Sequence, residues 1–331
     1  MDVVALTRQL VDIESITGNE GPVGDFLCGE LNRLGYEAKK MRVEGERCNV
    51  YATTPQQPQP AIVFSTHMDT VPPFIRSSED ENRIYGRGSC DAKGIIAAQI
   101  AAAETLRRES IHVGLLFLVG EERDSLGAKV ANQQPVGCKF LINGEPTENR
   151  IAIASKGALR VELTAHGRMA HSAYPELGES AIDKLLDALM VLRGVALPED
   201  PVLGRTHYTV GLIEGGVAPN VVSPHASAEI LFRIVGEGAP VRAVLGVIEP
   251  LVSVDHVLDI PAVRMHTLPG FETAVFPYTT DVLLLTRWGT PLLLGPGSIH
   301  VAHTDDEHVS IDELNHAVEL YERIARQLLI N

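Results

Sequence analysis

Seven side chains of this sequence stand where short apolar runs give way to polar residues, and each is of a kind that binds metal or moves protons. His67 and Asp69 follow "AIVFST". Asp91 lies in "GRGSCDAKG", ahead of an Ala-rich segment. Glu121 and Glu122 close "HVGLLFLVGEE", Glu145 follows "CKFLIN", and His303 lies in "GSIHVAHTDDEHV". Imidazole combined with carboxylate suits divalent zinc, cobalt or manganese, and a set that needs no thiolate reads as catalytic rather than structural. The number of possible ligands suggests two ions with one carboxylate bridging them, an arrangement that clamps the attacking and leaving oxygens of a hydrolysis. His300 shares the loop of His303 and is its rival on residue type alone. Cys90 reads as a small buried hydrophobe. Arg87 and Lys93 read as local salt-bridge partners, and Asp305, Asp306 and Glu307 as solvated or supporting groups.

The elements that must position these residues have the texture of an α/β protein. "AIVFST", "HVGLLFLVG" and "CKFLI" are continuous apolar runs of strand length, and "GIIAAQIAAAETLRRE" between the first two is a strong helix former. Such alternation predicts a mainly parallel, doubly wound sheet covered on both faces, with its ligand site beyond the carboxyl ends of the strands. Helices are expected near the N-terminus (Val3, Leu6, Leu10 and Ile13 on one face), from Pro22 to Leu34 with Gly35 as its cap, and from Ile311 onward. Ser310 and Glu313 form a capping box for the last of these. Between about 156 and 262 the texture changes to alternating strands and two amphipathic helices in the order β-α-β-β-α-β. "SAIDKLLDALMVLRG" and "PVRAVLGVIEPLV" are the two helices. This predicts an inserted α+β split-βαβ domain at 156–262, with 1–155 and 263–331 forming the domain that carries the chemistry.

The 331 residues carry a formal net charge of −15, from 43 acidic residues against 28 Lys and Arg. That charge argues against a nucleic-acid partner, which needs a basic surface. No apolar run approaches the roughly 18 residues of a membrane span, so no membrane partner is expected. The four cysteines form no C-x-x-C pair and the N-terminus lacks the features of a signal peptide, so a reducing, cytoplasmic setting is expected. "GRGSCDAKG" has neither the spacing of a dinucleotide loop nor the ending of a phosphate loop.

Taken in order, "HMDTVP", "GRGSCDAKG", "VGEE", "NGEPT" and "AHTDDE" resemble the motif series of the M20 metallopeptidase family, which includes acetylornithine deacetylase, succinyl-diaminopimelate desuccinylase and glutamate carboxypeptidases. The resemblance covers nearly the whole chain. It implies that His67, Asp91, Glu122, Glu145 and His303 bind two divalent metal ions, Zn2+ first and Co2+ or Mn2+ as alternatives, with Asp91 as the bridge. It implies Glu121 as the general base and Asp69 as the acid that orients His67. Neighbouring Glu121 and Glu122 can take different roles because side chains alternate along an extended chain. In "GRMAHSAYPELGESA" the resemblance implies that His171 helps polarise the scissile carbonyl, from the partner subunit in dimeric members. In "GGVAPNVV" it implies that Asn220 lies near substrate, and in "LFRIV" that Arg233 binds the substrate's α-carboxylate. Two departures stand out. Met68 replaces a small or hydroxyl residue, and "PYTTDVLLL" keeps only Thr280 and Asp281 of a "GTSDA" stretch that lines the pocket in relatives.

The expected activity is therefore metal-dependent cleavage of an N-acyl amino acid or short peptide, first of all an acetylornithine deacetylase-like reaction. Succinyl-diaminopimelate desuccinylase, carboxypeptidase or dipeptidase, and release of lysine or ornithine from a carrier protein are the alternatives. A homodimer through the inserted lid domain is expected from the family. A peptide-binding module on the same fold is the non-enzymatic reading, and the retention of Glu121 beside five apparent ligands argues against it.

Overall fold

The computed structural model describes residues 1–330, which form two compact units. The first comprises Met1–Ile153, Met265–Ala274 and the chain from Thr280 onward. The second comprises Ala154–Arg264 and a short return at Val275–Thr279. In chain order, the strands of the two main sheets are β1 (Glu37–Glu44), β2 (Arg47–Thr53), β3 (Ile62–His67), β4 (Gly114–Leu118), β5 (Phe140–Asn143), β6 (Gly157–His166), β7 (His207–Gly215), β8 (His225–Ile234), β9 (Ser253–Ile260) and β10 (Thr290–Leu293). The helices are α1 (Val3–Val11), α2 (Gly21–Arg33), α3 (Lys93–Arg108), α4 (Leu126–Gln133), α5 (Ala181–Arg193), α6 (Ala239–Leu245) and α7 (Ile311–Ile330).

The sheet of the first unit has the order β1-β2-β4-β3-β5-β10. Strands β4, β3, β5 and β10 are parallel, and the antiparallel β1–β2 hairpin extends one edge. Every residue of β3 and β4 is buried, which is why both read as unbroken apolar runs. From β3 the chain crosses through α3 to β4 on one side, then through α4 to β5 on the other. The strand order thus reverses at β3, and a crevice opens beyond its carboxyl end, the place where α/β sheets bind ligands. His67 is the last residue of β3.

Helix α3 is buried along most of its length, and its alanines let it pack closely against α1, α7 and β3. Helix α7 is capped by Ser310, whose Oγ accepts from the Glu313 N–H at 3.4 Å, and it buries Leu314, Tyr321, Ile324 and Leu328 as one stripe. The β1–β2 hairpin was not anticipated from sequence. Its signal is the short-period alternation of "EAKKMRVE", masked by five charged residues, with Gly45 at φ +54° in the turn.

The second unit has the antiparallel order β7-β8-β6-β9, the split-βαβ arrangement. Along β8, every second residue (Ala226, Ala228, Ile230, Phe232, Ile234) is buried in one core with residues of α5 and α6. The helix expected over "PVRAVLGVIEPLV" is shorter than that stretch: α6 ends at Leu245. Gly246 and Pro250 interrupt it, and the following turns still deliver Ile248 and Val252 to the same core.

Ile324 is fully buried between α7 and the rest of the first unit's core. Ile324→Ala should lower the unfolding free energy by about 2–5 kcal/mol. Urea titration followed by far-UV circular dichroism checks this, and a loss below that range would mean the helix is loosely docked.

Candidate metal centre

All seven strand-end residues lie in the first unit, and the crevice at β3 gathers them. Ligand atoms of His67, Asp91 and Glu122 all lie within 4.8 Å of one another. The carboxylate of Asp91 faces an imidazole with each oxygen. Its Oδ1 is 2.9 Å from His67 Nε2, and its Oδ2 is 3.4 Å from His303 Nε2. His303 Nε2 is also 3.0 Å from Glu122 Oε1. Glu145 is buried just beyond β5, where Asn143 Nδ2 donates to its Oε1 at 3.4 Å, and the charges of His67 and Asp91 act on it. His67 is sealed from solvent at 1% exposure and His303 is 48% exposed, so the cluster meets water on the His303 side. His300 is exposed, and its backbone N–H donates to Ser298 Oγ at 3.4 Å.

Local sequence explains each placement. Gly120 ends the dry strand with φ +81°, and its carbonyl accepts from the N–H groups of Asp124 and Ser125, which turns the chain and lifts Glu121 and Glu122 out of the sheet. Gly144 lets β5 pass so close to α3 that a Cβ there would come within 2.3 Å of Ile95 Cγ2. His303 has φ +64°, a left-handed backbone uncommon for a residue with a side chain, and strain of that kind gathers at functional sites.

Asp69 is fully buried and organises its neighbours through three bonds. Its carboxylate accepts from the Thr17 hydroxyl at 2.8 Å and from the backbone N–H groups of Glu121 at 3.1 Å and Glu122 at 3.2 Å. The Nδ1–H of His67 donates to the Asp69 main-chain carbonyl at 3.0 Å, with the Asp69 carboxylate 3.5 Å away. That bond sets the tautomer and turns the Nε2 lone pair toward Asp91.

A lone pair facing a carboxylate needs a positive charge between them. Two imidazoles and the surrounding acids have that need together, which is the donor chemistry of a divalent cation site. Without an ion, protons must serve. Burial would push the His67 imidazole down, yet hydrogen bonds to Asp69 and Asp91 hold it well above its ordinary range. Hydrogen bonds to Asp91 and then Glu122 push His303 up to about 10. Burial, then the charge of Glu145, pushes the Glu121 carboxyl well above the usual range, and burial does the same for Glu145. The surviving Asp281 is 1% exposed, and burial pushes its carboxyl up to about 7, against a hydrogen bond from Ser125. The set therefore fits metal.

His171, Asn220 and Arg233 lie in the second unit. His171 and Asn220 are neighbours there, since the Ser172 N–H donates to the Asn220 carbonyl at 3.0 Å and His171 bridges to Val221. His171 is exposed, and its Nδ1 accepts from the Ala173 N–H at 3.1 Å. Arg233 is near the far end of β8, where its Nη1 donates to Thr279 Oγ1 at 2.7 Å.

Residues 63–327 match the sequence profile of peptidase family M20/M25/M40. The chain belongs to that family. It is 37% identical to a peptidase M20 domain-containing protein of Schizosaccharomyces pombe, over 98% of this chain and 84% of that one. It is 35% identical to a probable carboxypeptidase of Aspergillus clavatus, over 99% of this chain and 82% of that one. A tripeptidase from Staphylococcus aureus shares the fold with a TM-score of 0.83 at 20% identity, covering 98% of both chains. The enzyme is thus a metal-dependent hydrolase of amide bonds, of the M20 peptidase kind.

Of the supporting groups, Glu307 takes the supporting and not the solvated role, and Arg87 has an ion-pair partner that is not local. Asp305 and Asp306 are exposed as expected, but Glu307 is only 1% exposed and Arg87 is 2% exposed. They pair with each other across the chain, with Arg87 Nη1 2.6 Å from Glu307 Oε2. No local pattern marks such a pair, because the partners lie 220 residues apart.

Because an ion would relieve so many facing charges, Zn2+ at about 100 times its Kd should add about 2.7 kcal/mol of stability. Differential scanning calorimetry with metal and with chelator checks this, and Asp91→Ala should lose most of the shift. A melting curve indifferent to metal would rule out the cluster as a metal centre.

Proposed function

We propose that His67, Asp91, Glu122, Glu145 and His303 hold two divalent ions, with Asp91 shared between them, and that Glu121 is the general base of an amide hydrolysis. The observation that carries this reading is the Asp91 carboxylate, which turns one oxygen to each imidazole. The ions would supply Lewis-acid polarisation and charge neutralisation at the scissile carbonyl. Zinc is the ion the donor set favours, with cobalt or manganese as substitutes.

The chain's own residues do the rest. Glu121 has its proton affinity raised by burial and by the charge of Glu145, the direction that favours a general base. Its carboxylate would take a proton from water at one Oε and return it to the leaving nitrogen. Asp69 fixes the backbone from which that carboxylate projects. Arg233, whose guanidinium can make a bidentate pair, would hold the substrate's α-carboxylate. Asn220 would contact substrate, and His171 would help polarise the carbonyl.

The substrate is a short peptide or N-acyl amino acid with a free α-carboxylate, cleaved to release the C-terminal amino acid. The naming of the Aspergillus relative as a probable carboxypeptidase supports this. Acetylornithine deacetylation is the second reading, favoured by the −15 net charge, which suits a cationic product. A homodimer would form through the second unit. There β7 is an edge strand with Leu212 and Ile213 more than half exposed, a surface suited to strand addition by a second copy.

Glu121→Ala should keep its metal, by inductively coupled plasma mass spectrometry, and lose about 10²–10⁴-fold in kcat. Turnover near the wild-type rate would remove Glu121 from the role. Arg233→Ala should raise KM steeply for free acids and little for their C-terminal amides, and equal effects on both would count against the carboxylate contact. A panel of dipeptides, N-acetyl and N-succinyl amino acids, with a chelated control, decides between the two substrate readings.

A further inference from the structure

We propose that Glu307 is a positioning residue that ties the loop bearing Asp91 to the loop bearing His303, and so sets the spacing of the metal ligands. The inference rests on the metal-centre reading above and adds to it a residue with no ligand role.

The geometry is that of a clamp. Glu307 Oε1 accepts backbone N–H bonds from Gly88 at 2.9 Å, Asp91 at 3.1 Å and Cys90 at 3.2 Å. Its Oε2 receives Arg87 Nη1 at 2.6 Å. Arg87 in turn donates from Nη1 to the Thr304 carbonyl at 3.0 Å and from Nε to the Pro73 carbonyl at 3.3 Å. The Glu307 main chain closes the ring, because its carbonyl accepts from the Gly86 N–H at 3.0 Å and from Ser89 Oγ at 3.3 Å. One side of this carboxylate therefore holds the amide of Asp91 itself. The other reaches, through one guanidinium, the residue that follows His303, whose left-handed backbone needs holding.

A simple stability role does not account for the pair. Burying both charges carries a desolvation penalty that their attraction does not always repay, and apolar replacements of buried ion pairs are often neutral or better. A carboxylate with a fixed position on two loops does what an apolar side chain cannot: it measures the distance between them. Metal sites depend on such outer partners, whose loss typically lowers metal affinity or activity by about 10–100-fold.

Glu307→Gln tests this with little change of volume. The amide oxygen can still accept from the loop N–H groups, but its NH2 faces Arg87 and breaks that link. Zn2+ titration of the metal-free protein against a chromophoric chelator should show affinity weaker by about 10–100-fold. The visible spectrum of the Co2+ form should change as well. Ile324→Val, remote from the site, supplies the control for mere loss of stability and should leave both readouts unchanged. Should Glu307→Gln fail to fold, Arg87→Lys, which leaves the three amide bonds in place, should weaken Zn2+ binding in the same direction. Wild-type affinity and an unaltered Co2+ spectrum in the variants overturn the inference. A wild-type protein that takes up no Zn2+ overturns the metal-centre reading itself and this inference with it, and the wild-type titration run alongside separates the two failures.

Discussion

The structure of the first unit turns on a single carboxylate with an imidazole on either side. Asp91 is almost wholly buried, and so are His67 and Glu145 close by. Gathering acids in a dry place is costly, because each loses its hydration and each repels the others. The surrounding architecture offsets that cost with N–H groups and cations placed around the cluster. Asp69 accepts two backbone N–H bonds at the Glu121–Glu122 turn, and Glu307 accepts three at the Asp91 loop. Both acids hold main chain rather than substrate. The cluster is thus built in two layers: residues that point into the crevice, and buried carboxylates behind them that fix where the first set begins.

The parallel sheet makes this construction economical in residues. Each of β3, β4, β5 and β10 delivers its acid or histidine within a few residues of its carboxyl end or in the loop that follows. The side chains converge because the strands are parallel and adjacent, not because they are near in sequence. Glycines at 120 and 144 allow the abrupt exits, one by turning the chain and the other by clearing space for α3. The helix that supplies the tight packing, α3, begins two residues after Asp91, so its docking against α1, α7 and β3 also seats the bridging acid.

How much of this could be read from the chain depended on the range of the signal. The strand-end residues were legible because an apolar run followed by an acid or histidine is a local pattern, and five such patterns in order carry family information. The sheet type and the split-βαβ order of the second unit were legible for the same reason. The β1–β2 hairpin was not, because charged residues on both faces of an exposed edge blur the period of two. Helix α6 is shorter than its sequence suggests because the apolar spacing continues past Gly246, where a turn serves the same core as well as a helix would. Glu307 and Arg87 were the least legible. An acid in "TDDEHV" has the look of a solvated run, and only the fold brings it against amides more than two hundred residues away.

That pattern of misses has a common physical origin. A residue that presents its side chain to a ligand must sit at an exit from regular structure, and exits leave marks in the sequence through glycine, polarity and the end of an apolar run. A residue that supports another by accepting main-chain N–H bonds needs none of these marks, since every residue but proline offers the same donor. Glu307 is recognised only by what it touches. The same holds for Thr17, whose hydroxyl on Asp69 comes from the loop after α1. In this enzyme the groups that would touch metal are written locally, and the groups that hold them at the right distance are written only in the fold.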